Sequence, residues 1–181
     1  MRILILGSKS DQINKKYRDI IVDLCTRLAK LDHKMVFNGN TSGLLGNAFM
    51  VFKYEDKKTK AVADLSIADE VNDLELDRFD IVKNTFERTK GLYESSELVL
   101  VLPGGIGTLA ELFSIIEEKR TRKRNIPIII FNYDNYYTSL LNVLTKMYEE
   151  HFVSYEDLKL FDIVKDINML EKYLKKLEKR N

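Results

Sequence analysis

Short apolar runs alternate along the chain with longer stretches of helical period, and this order predicts βαβ units wound around a parallel sheet. Ile3–Leu6 reads as a strand stopped by Gly7. Over Tyr17–Leu31, Ile20, Ile21, Leu24, Leu28 and Leu31 recur at three- and four-residue spacing, the mark of an amphipathic helix. Met35–Phe37 is a second strand, closed by Asn38-Gly39-Asn40, and the next helix should start near Ser42 or Gly43. A third strand is placed at 59–66, where the alternation is weak. A long helix is expected over 74–94, where Phe79, Val82, Phe86 and Tyr93 form one stripe. Leu98–Leu102 is an unbroken apolar run, as in strands at the buried centre of a parallel sheet. A helix Thr108–Lys119, a strand Ile126–Phe131, a helix Tyr136–Glu149, a short strand Phe161–Val164 and a charged helix Asn168–Lys179 complete the pattern. The fold class is α/β, a doubly wound parallel sheet with helices on both faces, with all 181 residues in one domain.

Composition acts mainly by exclusion. With 29 basic and 28 acidic residues the net charge is +1, so no overall field favours nucleic acid or an anionic membrane. The apolar part of MRILILGSKS is too short for a signal peptide, and no run approaches the roughly 18 residues needed to span a bilayer. A cytoplasmic location is expected. Cys25 lies in the apolar pattern IIVDLCTRLAKL and reads as a buried helical thiol. His33, in a polar turn, and His151, near a helix end, lack the companions of a metal site and read as surface residues, so no metal is expected. The basic run Lys119–Arg124 reads as a solvated cluster at a helix end, and the Tyr136-Tyr137 pair as packing.

An open α/β sheet binds ligands outside the carboxyl ends of its strands, where each glycine loop of this chain falls. Pro103-Gly104-Gly105-Ile106-Gly107-Thr108 joins the central strand to a helix, so its amides can converge on an anion that the helix dipole also favours. The spacing fits neither the P-loop nor GxGxxG. Gly7-Ser8 and the loop Asn38 to Gly46, with Gly39 and Gly43, follow two further strands, and the three together suggest a floor for one nucleotide-sized ligand bearing a phosphate or carboxylate. Two side chains stand out beside them. Glu111 ends Thr108-x-x-Glu111, which is either a capping box or the placement of a catalytic carboxylate. Arg88 interrupts a mostly apolar stripe, where it either snorkels to solvent or clamps phosphate.

These residues carry a family resemblance. PGGIGTLAE fits the PGGxGTxxE signature of the LOG family, the cytokinin riboside 5′-monophosphate phosphoribohydrolases formerly labelled lysine decarboxylases, with Arg88 fifteen residues before Pro103 as in that family. Gly7-Ser8 with Tyr17 resembles its GSS…Y opening, NGNTSGLLG its GGGxxGLMG loop, and FNYDNYYTSLLNVL the segment after its next strand. The resemblance implies a Rossmann-like homodimer that hydrolyses the N-glycosidic bond of AMP or an N6-modified AMP to free base and ribose 5-phosphate, with no cofactor. It carries catalysis onto Arg88 and Glu111 and substrate binding onto Gly7, Ser8, Gly39, Gly43, Gly104, Gly105, Ile106, Gly107 and Thr108, with Glu70 as a further substrate-contacting acid. The chain differs from the family pattern at Thr85, Thr89, Ile106, Ala110, Asn38 and Asn40, positions that bear on base preference. The alternative is a non-catalytic carrier of a nucleotide or phosphorylated cofactor. Pyridoxal-phosphate decarboxylation needs a Schiff-base lysine, and none stands out.

Overall fold

A computed structural model of the chain describes residues 1–72, 74–121 and 124–179, without the side chains of Glu70 and Asn72. Among the described residues, β1 (Arg2–Leu6), β2 (Lys34–Phe37), β3 (Thr59–Asp64), β4 (Arg78–Val82), β5 (Leu98–Val101), β6 (Ile128–Phe131) and β7 (Asp162–Val164) form one sheet in the order β4-β3-β2-β1-β5-β6-β7. Every pairing is parallel. The winding reverses between β1 and β5, which places a topological switch point, the site where such sheets hold ligands, at the ends of Leu6 and Val101.

The two-residue period of the strands builds a core on each face. Ile3, Ile5, Met35, Phe37, Leu98 and Leu100 meet α1 (Lys15–Lys30), α2 (Gly43–Tyr54) and α8 (Ile167–Glu178) through Ile21, Leu24, Leu28, Leu44, Ala48, Phe52, Leu170 and Leu174. Leu4, Leu6, Val36, Val99, Val101 and Ile130 face the other way, against Leu92 and Tyr93 of α4 (Thr85–Ser95) and Leu112 and Ile115 of α5 (Ile106–Thr121). Burying each such side chain is worth about 1.5–3 kcal/mol, and β5 and β6 carry no polar residue, while β1 and β2 carry one only at their exposed first positions, Arg2 and Lys34. The remaining helices are α3 (Ala68–Asn72), α6 (Thr138–Glu149) and α7 (Tyr155–Leu158), with short 3₁₀ turns at Leu65–Ile67 and Tyr133–Asn135.

The long helix expected over 74–94 is corrected: Arg78–Val82 is an edge strand paired to β3 from Lys60↔Arg78 to Asp64↔Val82, and a helix starts only at Thr85. Edge position explains the misreading. Phe79 and Ile81 are 45% and 36% exposed, so the strand shows no clean alternation of burial, and its apolar residues merge with the next helix into one stripe. The break is chemical: the Asn84 side chain accepts from Glu87 N at 3.0 Å, while Glu87 Oε2 accepts from Lys83 N at 3.0 Å. The Asn84 side chain is thus the N-cap of the helix, and Glu87 ties down the amide of the residue before it.

Two smaller expectations also change. His33 is buried rather than on the surface, with Nδ1 3.3 Å from the N-terminal amine, because the turn before β2 folds under the chain's first residue. In the basic run, Lys119 donates to Leu160 O at 2.8 Å and Arg124 to Glu94 O at 2.7 Å, so these two brace backbone instead of standing in solvent; Arg122 and Lys123 lie outside the described residues. Cys25 is buried, as expected. Among the described residues no helix is long and apolar enough to cross a membrane.

Candidate active site

Four loops at the carboxyl ends of β1, β2, β3 and β5 surround a cleft of about 430 Å³, within the usual range for small-molecule sites. Gly7, Ser8, Asn38, Arg88, Gly105, Gly107, Thr108 and Glu111 line it, with Lys9 at its rim. Larger grooves exist, one of about 570 Å³ around Lys34 and Lys58 and one of about 510 Å³ around Phe113 and Phe161, but neither lies at the switch point.

The glycine loop after β5 leads directly into α5. The helix begins at Ile106, and Leu109 N donates to Gly105 O at 3.1 Å, so Gly105 is its N-cap. The amides of Gly105, Ile106, Gly107 and Thr108 are therefore the four that a helix leaves without an intrahelical acceptor. A Cβ built on Gly105 or Gly107 meets nothing within 4 Å, so the backbone stands open to the cleft. Gly104 is glycine for another reason: a Cβ there would sit 2.2 Å from Thr108 Oγ1. The loop is held from behind by two tyrosines, Tyr136 OH donating to Gly104 O at 2.9 Å and Tyr137 OH to Leu102 O at 2.7 Å. Burial pushes the Tyr137 phenol up, which keeps it protonated as a donor. The sequence showed the pair only as packing.

This helix start decides the capping question. Thr108 lies inside α5 and cannot be its N-cap, so Glu111 returns to no cap amide. Instead the Glu111 carboxyl points across the cleft, where Oε1 accepts from Arg88 Nη2 and from Asn38 Nδ2, each at 3.3 Å. Arg88 reaches it from the first turns of α4, an orientation the Asn84 cap sets. Its Nη1 donates to Asp64 Oδ2 at 2.5 Å. Glu111 is 7% exposed and Asp64 6%, so three charges share a nearly dry site.

Their environments pull the two carboxyls apart. Burial raises the Glu111 carboxyl above its ordinary range, against the opposing pull of Arg88 and Asn38. Asp64 is held below its range, first by the Ser66 hydroxyl, then by the Ser66 amide and the Arg88 charge. A pair divided in this way gives one carboxylate that stays charged and one suited to trading a proton.

Other expected site residues fall outside the cleft. Gly39, at φ +86°, packs against Val71, and Gly43, at φ +59°, sits against the backbone of Ser8 and Lys9. The first amides of α2 are already taken: Gly43 N donates to Asp11 Oδ1 at 2.9 Å and Leu44 N to Ser8 O at 2.8 Å. This loop therefore braces the Gly7-Ser8 turn and offers no anion site of its own. The Ile106 side chain is 88% exposed and contributes only its amide. The side chain of Glu70 lies outside the described residues. Sequence reasoning missed Asp64 and Lys9 altogether, and noted Asn38 only as a difference from the family pattern.

The cleft thus brings the unpaired amides of a helix start to a switch point of a Rossmann-like sheet, one helical turn from a buried carboxylate held by a guanidinium. The profile of the family described as "possible lysine decarboxylase" matches residues 50–174. The chain belongs to this family, whose LOG branch the sequence motif had indicated. A probable cytokinin riboside 5′-monophosphate phosphoribohydrolase of rice (Oryza sativa subsp. japonica) is 27% identical over 154 residues, covering 84% of this chain and 62% of the rice protein. A cytokinin riboside 5′-monophosphate phosphoribohydrolase of Arabidopsis thaliana is likewise 27% identical over 154 residues, with 84% and 72% covered. The chain thus spans less than two thirds of the rice relative's length. Among solved structures, the Moco carrier protein of Chlamydomonas reinhardtii superposes with a TM-score of 0.71 over 99% of this chain and 98% of that one at 16% identity, a likeness of fold.

Proposed function

We propose that the protein hydrolyses the N-glycosidic bond of a nucleoside 5′-monophosphate, AMP or an N6-modified AMP. Water adds across the bond, its oxygen to C1′ and a proton to the departing base, releasing ribose 5-phosphate. The observation that carries the reading is the buried Glu111 carboxyl, held by Arg88 and Asn38 at 3.3 Å each, one turn of α5 beyond four open amides. One turn advances about 5.4 Å along the axis, the scale of a ribose. With the 5′-phosphate on the amides of Gly105 to Thr108, Glu111 lies beside the sugar. There it orients and deprotonates water and stabilises positive charge growing on C1′. A guanidinium offers donors only, so the part of Arg88 is to hold Glu111 and bind phosphate or leaving-group oxygen. The names of the rice and Arabidopsis relatives support the substrate class, and an N6-modified substrate would make the product a free cytokinin. The working unit in this reading is a cytoplasmic homodimer.

Purified protein incubated with AMP, N6-isopentenyl-AMP and other nucleoside monophosphates should release base and ribose 5-phosphate in equal amounts, read by chromatography. Release from none of them sinks the reading. The Moco carrier's fold keeps a second reading in view, binding without turnover. Calorimetric affinity for a nucleotide or phosphorylated cofactor with no product, unchanged by Glu111→Ala, would favour that carrier role.

A further inference from the structure

Asp64 has no place in the sequence motifs, yet it makes the shortest contact to Arg88. It ends β3, and its two oxygens have separate duties. Oδ1 accepts from Ser66 N at 3.1 Å and from the Ser66 hydroxyl, which fixes the carboxylate at the start of the 3₁₀ turn. Oδ2 is left to face α4, where it accepts from Arg88 Nη1 at 2.5 Å and from Thr85 Oγ1 at 3.4 Å. Arg88 in turn gives only Nη2 to Glu111, at 3.3 Å, and its Nε is buried without a partner among the described residues. Neither carboxylate engages the guanidinium through two parallel hydrogen bonds, the arrangement that would tie it fully to one partner.

We propose that Asp64 is the positioning residue of this site: anchored by Ser66, it fixes the Arg88 guanidinium and takes the larger share of its charge, leaving Glu111 only partly neutralised. The inference rests on the hydrolytic reading of the cleft and adds to it a residue that acts through Arg88. Its logic is competition for one cation. Among the described residues lining the cleft, the ionisable groups facing Glu111 are Arg88 from α4 and Lys9 from the loop after β1, with Asp64 behind Arg88. If Asp64 loses its charge, Arg88 turns its whole charge to Glu111, and the negative charge that also opposed Glu111 ionisation is gone. Both changes have the same sign, and both lower the pH at which Glu111 titrates.

The test is Asp64→Asn, which keeps the shape and removes the charge. Carboxyl-carbon NMR, with the Glu111 signal assigned by its loss in Glu111→Gln, should show the Glu111 midpoint shifted to lower pH in Asp64→Asn, and the acid limb of kcat/KM should move with it. Misplacing a held group costs up to about 100-fold, so kcat at neutral pH should fall by roughly 10- to 100-fold. A midpoint and a pH profile that superpose on the wild type, with only the melting temperature altered, would overturn the proposal and leave Asp64 as a turn cap. Should Asp64→Asn fail to fold, Asp64→Ser retains an oxygen for the Ser66 amide without the charge and must give the same shift. The NMR titration needs no turnover, so a protein that releases no base defeats the hydrolytic reading while Asp64 is still judged by the Glu111 midpoint.

Discussion

Under the proposed reaction Glu111 meets two opposed demands, since hydrolysis needs its negative charge in a dry cleft and folding does not. Its carboxyl is raised by burial, so the folded protein holds the proton more tightly than the unfolded chain, and stability is lost as pH rises through the folded value. Glu111→Gln removes that loss. Thermal melts should show the variant more stable than the wild type at pH 8, with the difference shrinking on acidification; an equal difference at every pH would mean that ionisation of Glu111 is not what costs stability. Asp64 has the opposite sign. Its carboxyl is depressed, so its contribution is present above the ordinary carboxylate range and is lost only as pH falls below it. What the sequence disclosed at this scale followed from contacts of short range. Arg88 could be singled out because it interrupts an apolar stripe, and Glu111 because it completes Thr108-x-x-Glu111 within the family signature. Asp64 does neither, and its partner lies 24 residues away across a strand that read as helix.

Among the elements, the glycines separate into those that open on the cleft and those that leave room for the chain. Gly107 faces open space, so Gly107→Leu should keep the fold, or stabilise α5 by up to about 1 kcal/mol, while nucleotide binding measured by calorimetry is lost. Gly46 is the reverse case, since a Cβ there would lie 2.1 Å from Thr41 O. Gly46→Ala should destabilise by about 1–3 kcal/mol in chemical denaturation despite alanine's better helix propensity, as overpacking does. A Gly107→Leu protein that binds nucleotide normally would remove the loop from the site. The Asn84 cap is worth about 1 kcal/mol, and Asn84→Ala should lower activity as well as stability, because the first turn it secures carries Arg88. That cap was readable as Asn-x-x-Glu, but the apolar stripe running through it dominated.

At the scale of the whole molecule, the order of strands and helices was legible because a parallel sheet buries both faces of its central strands, and runs such as Leu98–Leu102 are too short for a helix and end at Pro103-Gly104. Of the two edge strands, β7 was expected at Phe161–Val164, while β4 was lost because its exposed Phe79 and Ile81 merge with the stripe of the next helix. The cleft was foreseen as the meeting of three glycine loops, and the structure redistributes the work: the loop after β5 offers amides, the loop after β2 offers Asn38, and Gly39 and Gly43 shape backbone. A homodimer is the proposed unit, and sedimentation equilibrium should give twice the 21.1 kDa chain mass; a monomer that turns over normally would show the cleft to be complete within one chain. We propose that Glu111 carries out glycosidic hydrolysis of a nucleoside 5′-monophosphate in this cleft. Base release by wild type and Glu111→Gln, followed side by side on AMP and N6-isopentenyl-AMP, tests it most directly. The expected result is turnover of at least one substrate by the wild type and a loss of about 10²- to 10⁴-fold in the folded variant, whereas equal rates in the two proteins would contradict it.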